Sequence, residues 1–243
     1  MEAKYFYRNM TFIFFVIVMA VSLLTLRPVS AESLEDFVIL IETGDATPYE
    51  FTIPTTGTGY NYNVYCGEDS LGDWMGENGD VTCTYTSVGD KIVRIEDANG
   101  DGTGFPRIYF PGEDAVNADK LKVIIQWGTG KWTSMESAFM GCSNMLIETS
   151  DRPDLSGVTD MSHMFDGASA LGANDDISIG SWDTSNVLYM NHLFYEASSF
   201  NGPIKYWDTG NVTDMTAMFN GASVFNQPIG LWETGNVTNM TGM

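Results

Sequence analysis

Apolar and polar positions alternate along the first half of the chain and recur in blocks along the second. From Phe37 to about Ile125, short apolar runs are separated by Gly, Asp and Asn. Phe37-Val38-Ile39-Leu40-Ile41, Phe51-Thr52-Ile53 and Tyr60-Asn61-Tyr62-Asn63-Val64-Tyr65 come first. Thr82-Cys83-Thr84-Tyr85, Lys91-Ile92-Val93-Arg94-Ile95, Arg107-Ile108-Tyr109-Phe110 and Leu121-Lys122-Val123-Ile124-Ile125 follow. Runs of this length send side chains alternately to opposite faces, which predicts strands. Their regular spacing, with turn residues between, predicts a β-sandwich over residues 32–125.

From residue 126 the pattern changes period. Trp182-Asp183-Thr184-Ser185-Asn186-Val187 recurs as Trp207-Asp208-Thr209-Gly210-Asn211-Val212 and as Trp232-Glu233-Thr234-Gly235-Asn236-Val237, each 25 residues on. Met190, Met215 and Met240 keep step, as do Phe194 and Phe219, Phe200 and Phe225, and Pro203-Ile204 and Pro228-Ile229. Val158, Met161, Phe165 and Ala168-Ser169 fit the frame, with an insertion around Asn174-Asp175-Asp176. Met135, Phe139 and Gly141-Cys142-Ser143 form a divergent first copy. No such unit buries its apolar face alone, so neighbours must stack and share a core. Val187, Met190, Leu193, Phe194 and Ala197 are spaced like one face of a short helix, with Ser185 or Asn186 as its cap. Ile204 to Trp207 predicts one strand. The expectation over residues 126–243 is an α/β leucine-rich-repeat-like solenoid. Met243 falls part-way through a unit, so the repeat region is expected to be truncated, with any C-terminal anchor missing as well.

Two resemblances follow from these residues. Tyr62-Asn63-Val64-Tyr65-Cys66-Gly67-Glu68-Asp69 and the segment from Cys83 to Val93 resemble a PKD-type immunoglobulin-like module. Tyr65-Cys66 stand where that family has Trp and Asp, and Cys83 where His is common. The repeat W-D-T-x-N-V-x-x-M-x-x-M/L-F-x-x-A-S-x-F-N-x-P-I is similar to the BspA-type leucine-rich-repeat surface-protein family. Gln126 to Met135 resembles that family's junction before its first repeat. The resemblance implies a secreted or surface-attached protein that binds host proteins, matrix proteins or other cells, and it names no ligand.

Charge narrows the classes. Lys and Arg number 11 against 32 Asp and Glu, for a net charge of −21. Nucleic-acid binders need a basic face to displace counterions, so that class is excluded. Lys4 and Arg8, the apolar run Thr11 to Leu26, and Val29-Ser30-Ala31 predict a signal peptide over residues 1–31, with a retained membrane anchor as the alternative. Export permits disulfides, and Cys66 and Cys83 are the candidate pair. Cys142 is expected to be a small buried apolar residue.

The candidate sites are few. Asp183 and Thr184, Asp208 and Thr209, and Glu233 and Thr234 would form a flat outward stripe for a protein, a glycan or an ice lattice; the alternative is a solvated strand edge. Asn186, Asn211 and Asn236 predict an internal amide ladder, with glycosylation as the other reading where Val-Thr follows Asn211 and Asn236. His163 and His192 share one repeat position and would lie together, with no recurring third metal ligand. Asp97, Asn99 and Asp101 open like a calcium loop, although Ile108 stands where the bidentate acid belongs; the same run also reads as a hairpin turn. Ca2+ is the only cofactor these residues suggest. No nucleophile elbow, His-Glu-x-x-His or phosphate-binding loop is present. The expectation is a secreted or cell-surface binding or adhesion protein, not an enzyme. Its partner would be an extracellular protein or cell-surface ligand, with membrane contact only through the signal peptide or a missing anchor. A glycan- or ice-binding Thr column is the alternative, and a glycosidase with paired carboxylates a further one.

Overall fold

The computed structural model describes residues 33–44, 47–112, 115–173 and 178–243. The expected signal peptide over residues 1–31 and the insertion at Asn174-Asp175-Asp176 lie outside the described residues.

The first half is built of strands. They are β1 (Phe37–Thr43), β2 (Tyr49–Ile53), β3 (Tyr62–Tyr65), β4 (Trp74–Glu77), β5 (Val81–Tyr85), β6 (Gly89–Asp97) and β7 (Leu121–Gln126), with a single-turn helix α1 (Ala115–Ala118) before β7. Alternation does what a pleated strand requires. Val81, Cys83 and Tyr85 of β5 are buried while Thr82 and Thr84 between them are half-exposed. β2 and β5 form a two-stranded antiparallel sheet in which Phe51 faces Cys83. β4, β3, β6, β1 and β7 lie side by side in the larger sheet. Cys66, just past β3, is disulfide-bonded to Cys83 of β5, with Cα atoms 5.6 Å apart. This bond ties the two sheets together across the core.

The larger sheet does not stop at β7. A sixth strand, β8 (Leu146–Ile147), pairs with it in parallel, Val123 with Leu146 and Ile124 with Ile147. The expected PKD/immunoglobulin-like sandwich is thereby overturned. The molecule has one six-stranded mixed sheet and one two-stranded sheet, not two matched antiparallel layers. An exposed edge strand leaves backbone donors and acceptors unpaired, and the edge of β7 is completed by a segment from the first repeat unit.

The α/β leucine-rich-repeat-like solenoid is overturned as well. Among the described residues α1 is the only α-helix, and the repeat half has no alternation of strand and helix. Where a helix was expected, the chain makes successive tight turns. The N–H groups of Met164, Asp166 and Ala168 donate to the carbonyls of Met161, His163 and Phe165. The intervening donors leave the coil: Met161, His163, Phe165 and Gly167 donate to Tyr189, Asn191, Leu193 and Tyr195 in the next one. An α-helix needs every donor to reach four residues back. His163 and His192 are left-handed, at φ of 56° and 57°, as are Gly167 and Glu196 at 75° and 56°, and each breaks a helix. Apolar residues three apart line one face of tight turns as well as one face of a helix, which is why the spacing misled.

The same forward ladder from the tight turns joins the other coils. Met135, Ser137, Phe139 and Gly141 of the first coil donate to Asp160, Ser162, Met164 and Asp166 of the second. Met190, His192, Phe194 and Glu196 of the third donate to Asp214, Thr216, Met218 and Asn220 of the fourth. Equivalent side chains therefore lie over one another. The rings of Phe139, Phe165, Phe194 and Phe219 follow at 5.9, 5.7 and 5.7 Å, all nearly parallel. Trp182 lies 6.3 Å from Trp207, and Phe200 lies 5.9 Å from Phe225. Met161, Met164, Met190, Met215 and Met218 fill the spine between them and are fully buried. Each such side chain contributes about 1.5–3 kcal/mol by leaving water. Phe37 on β1 lies 5.8 Å from Trp127, and Trp127 lies 5.4 Å from Trp182, so the core runs unbroken from sheet to coils.

Candidate functional site

The coil corner around the repeat Trp carries the residues singled out from the sequence, and the structure sorts them into inside and outside. Thr184 and Thr209 are not on the surface; each is 1% exposed. Thr184 Oγ1 donates to Asp208 O at 2.9 Å, and Thr209 Oγ1 donates to Glu233 O at 3.1 Å. The Thr column is a set of rungs between coils, so the glycan- or ice-binding stripe is corrected to an internal one. Thr234 alone of the three is exposed. The physical reason is alternation: Trp207 turns inward, Asp208 outward and Thr209 inward again.

The acids stay outside. Asp183, Asp208 and Glu233 are exposed. The Asp208 and Glu233 carboxylates both approach Gly210, coming within 3.2 and 3.5 Å of where a side chain there would begin. The Ser185 hydroxyl and backbone N–H hold the Asp183 carboxyl below its ordinary range. Ser156 does the same for Asp154, the equivalent acid of the preceding coil.

On the other side of the repeat Trp stands a column that the sequence reading missed. Tyr206 and Leu231 precede Trp207 and Trp232 and are 75% and 59% exposed. Lys205 lies over the Tyr206 ring at 5.1 Å. Tyr206 ends a single 3-10 turn, Ile204–Tyr206, where one strand was expected, so no strand alternation announced its outward direction.

The expected internal Asn ladder is corrected: Asn186, Asn211 and Asn236 are exposed, and their amides bridge each coil to the one before it. Asn186, Asn211 and Asn236 donate their side-chain N–H to Ser156, Ser185 and Gly210 carbonyls at 3.1, 2.7 and 2.6 Å. Trp207 and Trp232 donate their indole N–H to Ile179 and Ile204 carbonyls one coil back. A further column went unread: Asp160, Asp214 and Asn239 each accept the hydroxyl and backbone N–H of the residue two positions on. The D/N-x-S/T spacing was its signal.

His163 and His192 are brought together, ring centroids 4.5 Å apart and nearly parallel. Asp97, Asn99 and Asp101 share one loop that closes on itself. Asp97 accepts the backbone N–H groups of Asn99, Asp101, Gly102 and Gly104, and Asp101 accepts both donors of Thr103. Thr103 also holds the Asp101 carboxyl below its ordinary range. Among the described residues no group of three or more His, Cys, Asp and Glu side chains is placed to hold a metal ion. Cys142 is fully buried, and burial pushes its thiol up well above the ordinary value. None of the described helices is long and apolar enough to cross a membrane.

No curated protein and no solved structure matches the chain. One family model does, over residues 121–243, which is just over half of the chain and takes in β7 and every coil. On that match the chain belongs to the family described as Mycoplasma protein of unknown function, DUF285.

Proposed function

We propose that this chain is a secreted or cell-surface binding protein, not an enzyme, and that it engages an extracellular protein through the outer corner of the stacked coils. The observation that carries this reading is the exposed stripe beside the repeat Trp. Tyr206 and Leu231 stand 75% and 59% exposed, with Asp208 and Glu233 flanking them in register. Exposed aromatic and aliphatic anchors rimmed by charge suit a protein contact. The acidic rim and the net charge of −21 suit a partner with a basic face. The disulfide Cys66–Cys83 supports an oxidising compartment. The signal-peptide pattern and the motif resemblance to BspA-type surface proteins support the same placement.

The test is a binding screen of the whole chain against extracellular matrix proteins and intact cells. Tyr206→Ala with Leu231→Ser is expected to weaken binding by about tenfold or more, because central anchors carry most interface energy. Asp208→Lys with Glu233→Lys is expected to slow association and reduce its salt dependence. Binding that is indifferent to all four changes, or no binding to any protein, overturns the reading.

A further inference from the structure

We infer that the contact between the second and third coils is a proton-sensitive joint, built on the stacked pair His163 and His192, which loosens when the surroundings become mildly acidic. It stands apart from the identity of any binding partner.

The geometry is specific. The rings lie 4.5 Å apart with 7° between their planes. The backbone holds them there. Both residues are left-handed, and their N–H groups donate to Asn191 O and Thr216 O in the following coils. His163 Nδ1 lies 2.8 Å from Asp166 Oδ2, so a charged ring there has a carboxylate against it. His192 Nδ1 is buried and makes no hydrogen bond.

On its Nδ1 side the surroundings offer a second proton no acceptor. In the second coil His192 faces His163 and Asp166; in its own coil it meets the Tyr195 ring at 5.4 Å. From the fourth coil the Asp214 carboxylate acts on it, but Asp214 Oδ1 is already held by the Thr216 N–H and hydroxyl. The same column continues as Ser137 in the first coil and Ala217 in the fourth, and neither carries charge. Two neutral imidazoles stack; two imidazolium ions at this separation repel.

Burial first, and the neighbouring His163 second, hold the His192 imidazole below its ordinary value of 6.5, against the smaller pull of Asp166 and Asp214. The unfolded or opened chain therefore binds more protons than the closed one below that value. The stabilisation is present above 6.5 and is lost as pH falls through the folded-state value. Coils interact only with their neighbours, so loss at this joint frees the third and fourth coils while the rest stays closed.

Amide hydrogen exchange of the whole chain tests this, with protection corrected for intrinsic chemistry and compared at about pH 7.5 and about pH 5.5, either side of ordinary imidazole titration. The amides of Met161, His163, Phe165 and Gly167, which cross the joint, are expected to lose protection by up to about tenfold per pH unit. Those of Met190, Phe194 and Glu196, which cross to the fourth coil, are expected to hold. His192→Asn keeps a side chain tolerant of positive φ and is expected to abolish the selective loss. Uniform loss across all coils, or an undiminished loss in the variant, overturns the inference. Should the variant fail to fold, ring titration of the unaltered chain by NMR decides. His192 titrating at the ordinary value, independently of His163, overturns the joint; a depressed, coupled titration supports it.

Discussion

The sheet half and the coil half both bury apolar side chains, but with partners at different distances along the chain. β1 is held by β6 and β7, with Phe37 against Ile95 and Ile39 against Ile124. Phe51 lies against Cys83, and Cys66 is bonded to Cys83. In the coils the partners lie within a unit or one unit away: Phe194 meets Phe200 in its own unit, Phe165 before it and Phe219 after it. A sheet closed by distant partners forms as a whole, because no strand gains much until the others are in place. A stack is nearly a sum of nearest-neighbour contacts and opens joint by joint. The coils are laced in both senses. Alternate residues of the tight-turn segment donate N–H groups forward, while Leu188 and Thr213 just before it donate backward to Thr159 O and Leu188 O.

The largest effect should come from the middle of the spine. Phe194 contacts the rings of Phe165, Phe200, Trp207 and Phe219 and is fully buried. Phe194→Ala is expected to cost about 3–5 kcal/mol, the transfer loss plus a cavity that a rigid stack cannot close. Denaturant unfolding measures the size, and amide exchange measures the reach. Loss of protection should centre on the second, third and fourth coils and spare β1 and β6. If the strand amides lose protection equally, the two halves are a single cooperative unit and the contrast between them is broken.

The disulfide probes the other side of the comparison. Cys66 and Cys83 are 17 residues apart. A closed loop of that length is worth about 3 kcal/mol by the chain-entropy argument. Cys66→Ser with Cys83→Ser should lower the free energy of unfolding by that amount and lower protection in β2, β3 and β5. The coil-to-coil amides from Met190 to Glu196 should keep theirs. A loss spread evenly into the coils would show that the stack depends on the sheet for more than its first contact.

What could be read from the sequence follows the same division. Most strand positions in the first half were visible because alternation is a local property; β1, β2, β3, β5, β6 and β7 lie where the apolar runs predicted them, while the run Arg107 to Phe110 forms no strand and β4 was not foreseen. Which strands pair was not visible, and β8 was missed because a two-residue strand has no period of its own. In the second half the reverse holds. The repeat frame identified which residues are equivalent, since Met161, Met190 and Met215 share a core column. It misled on local conformation, since the left-handed residues at His163, His192 and Ala217 are not glycines and carry no signal of positive φ. It misled on Thr184 and Thr209 because their hydroxyls bond to another coil, and no reading of one unit alone shows the carbonyl that receives them.

That last pair yields the smallest prediction and the finest test of how far the coil contacts are local. Thr209 Oγ1 donates to Glu233 O at 3.1 Å and is buried; Thr234, its equivalent one coil on, is exposed. Valine keeps the branched shape and removes only the hydroxyl. Thr209→Val should cost about 1 kcal/mol, because a carbonyl that has given up water loses its donor. Thr234→Val should change stability by no more than about 0.5 kcal/mol, as exposed substitutions do. Both changes occupy the same place in the repeat, so a difference between them can come only from the presence of a coil above. Equal costs would mean that the hydroxyl acts within its own turn, and the rungs would then contribute nothing to holding one coil upon the next.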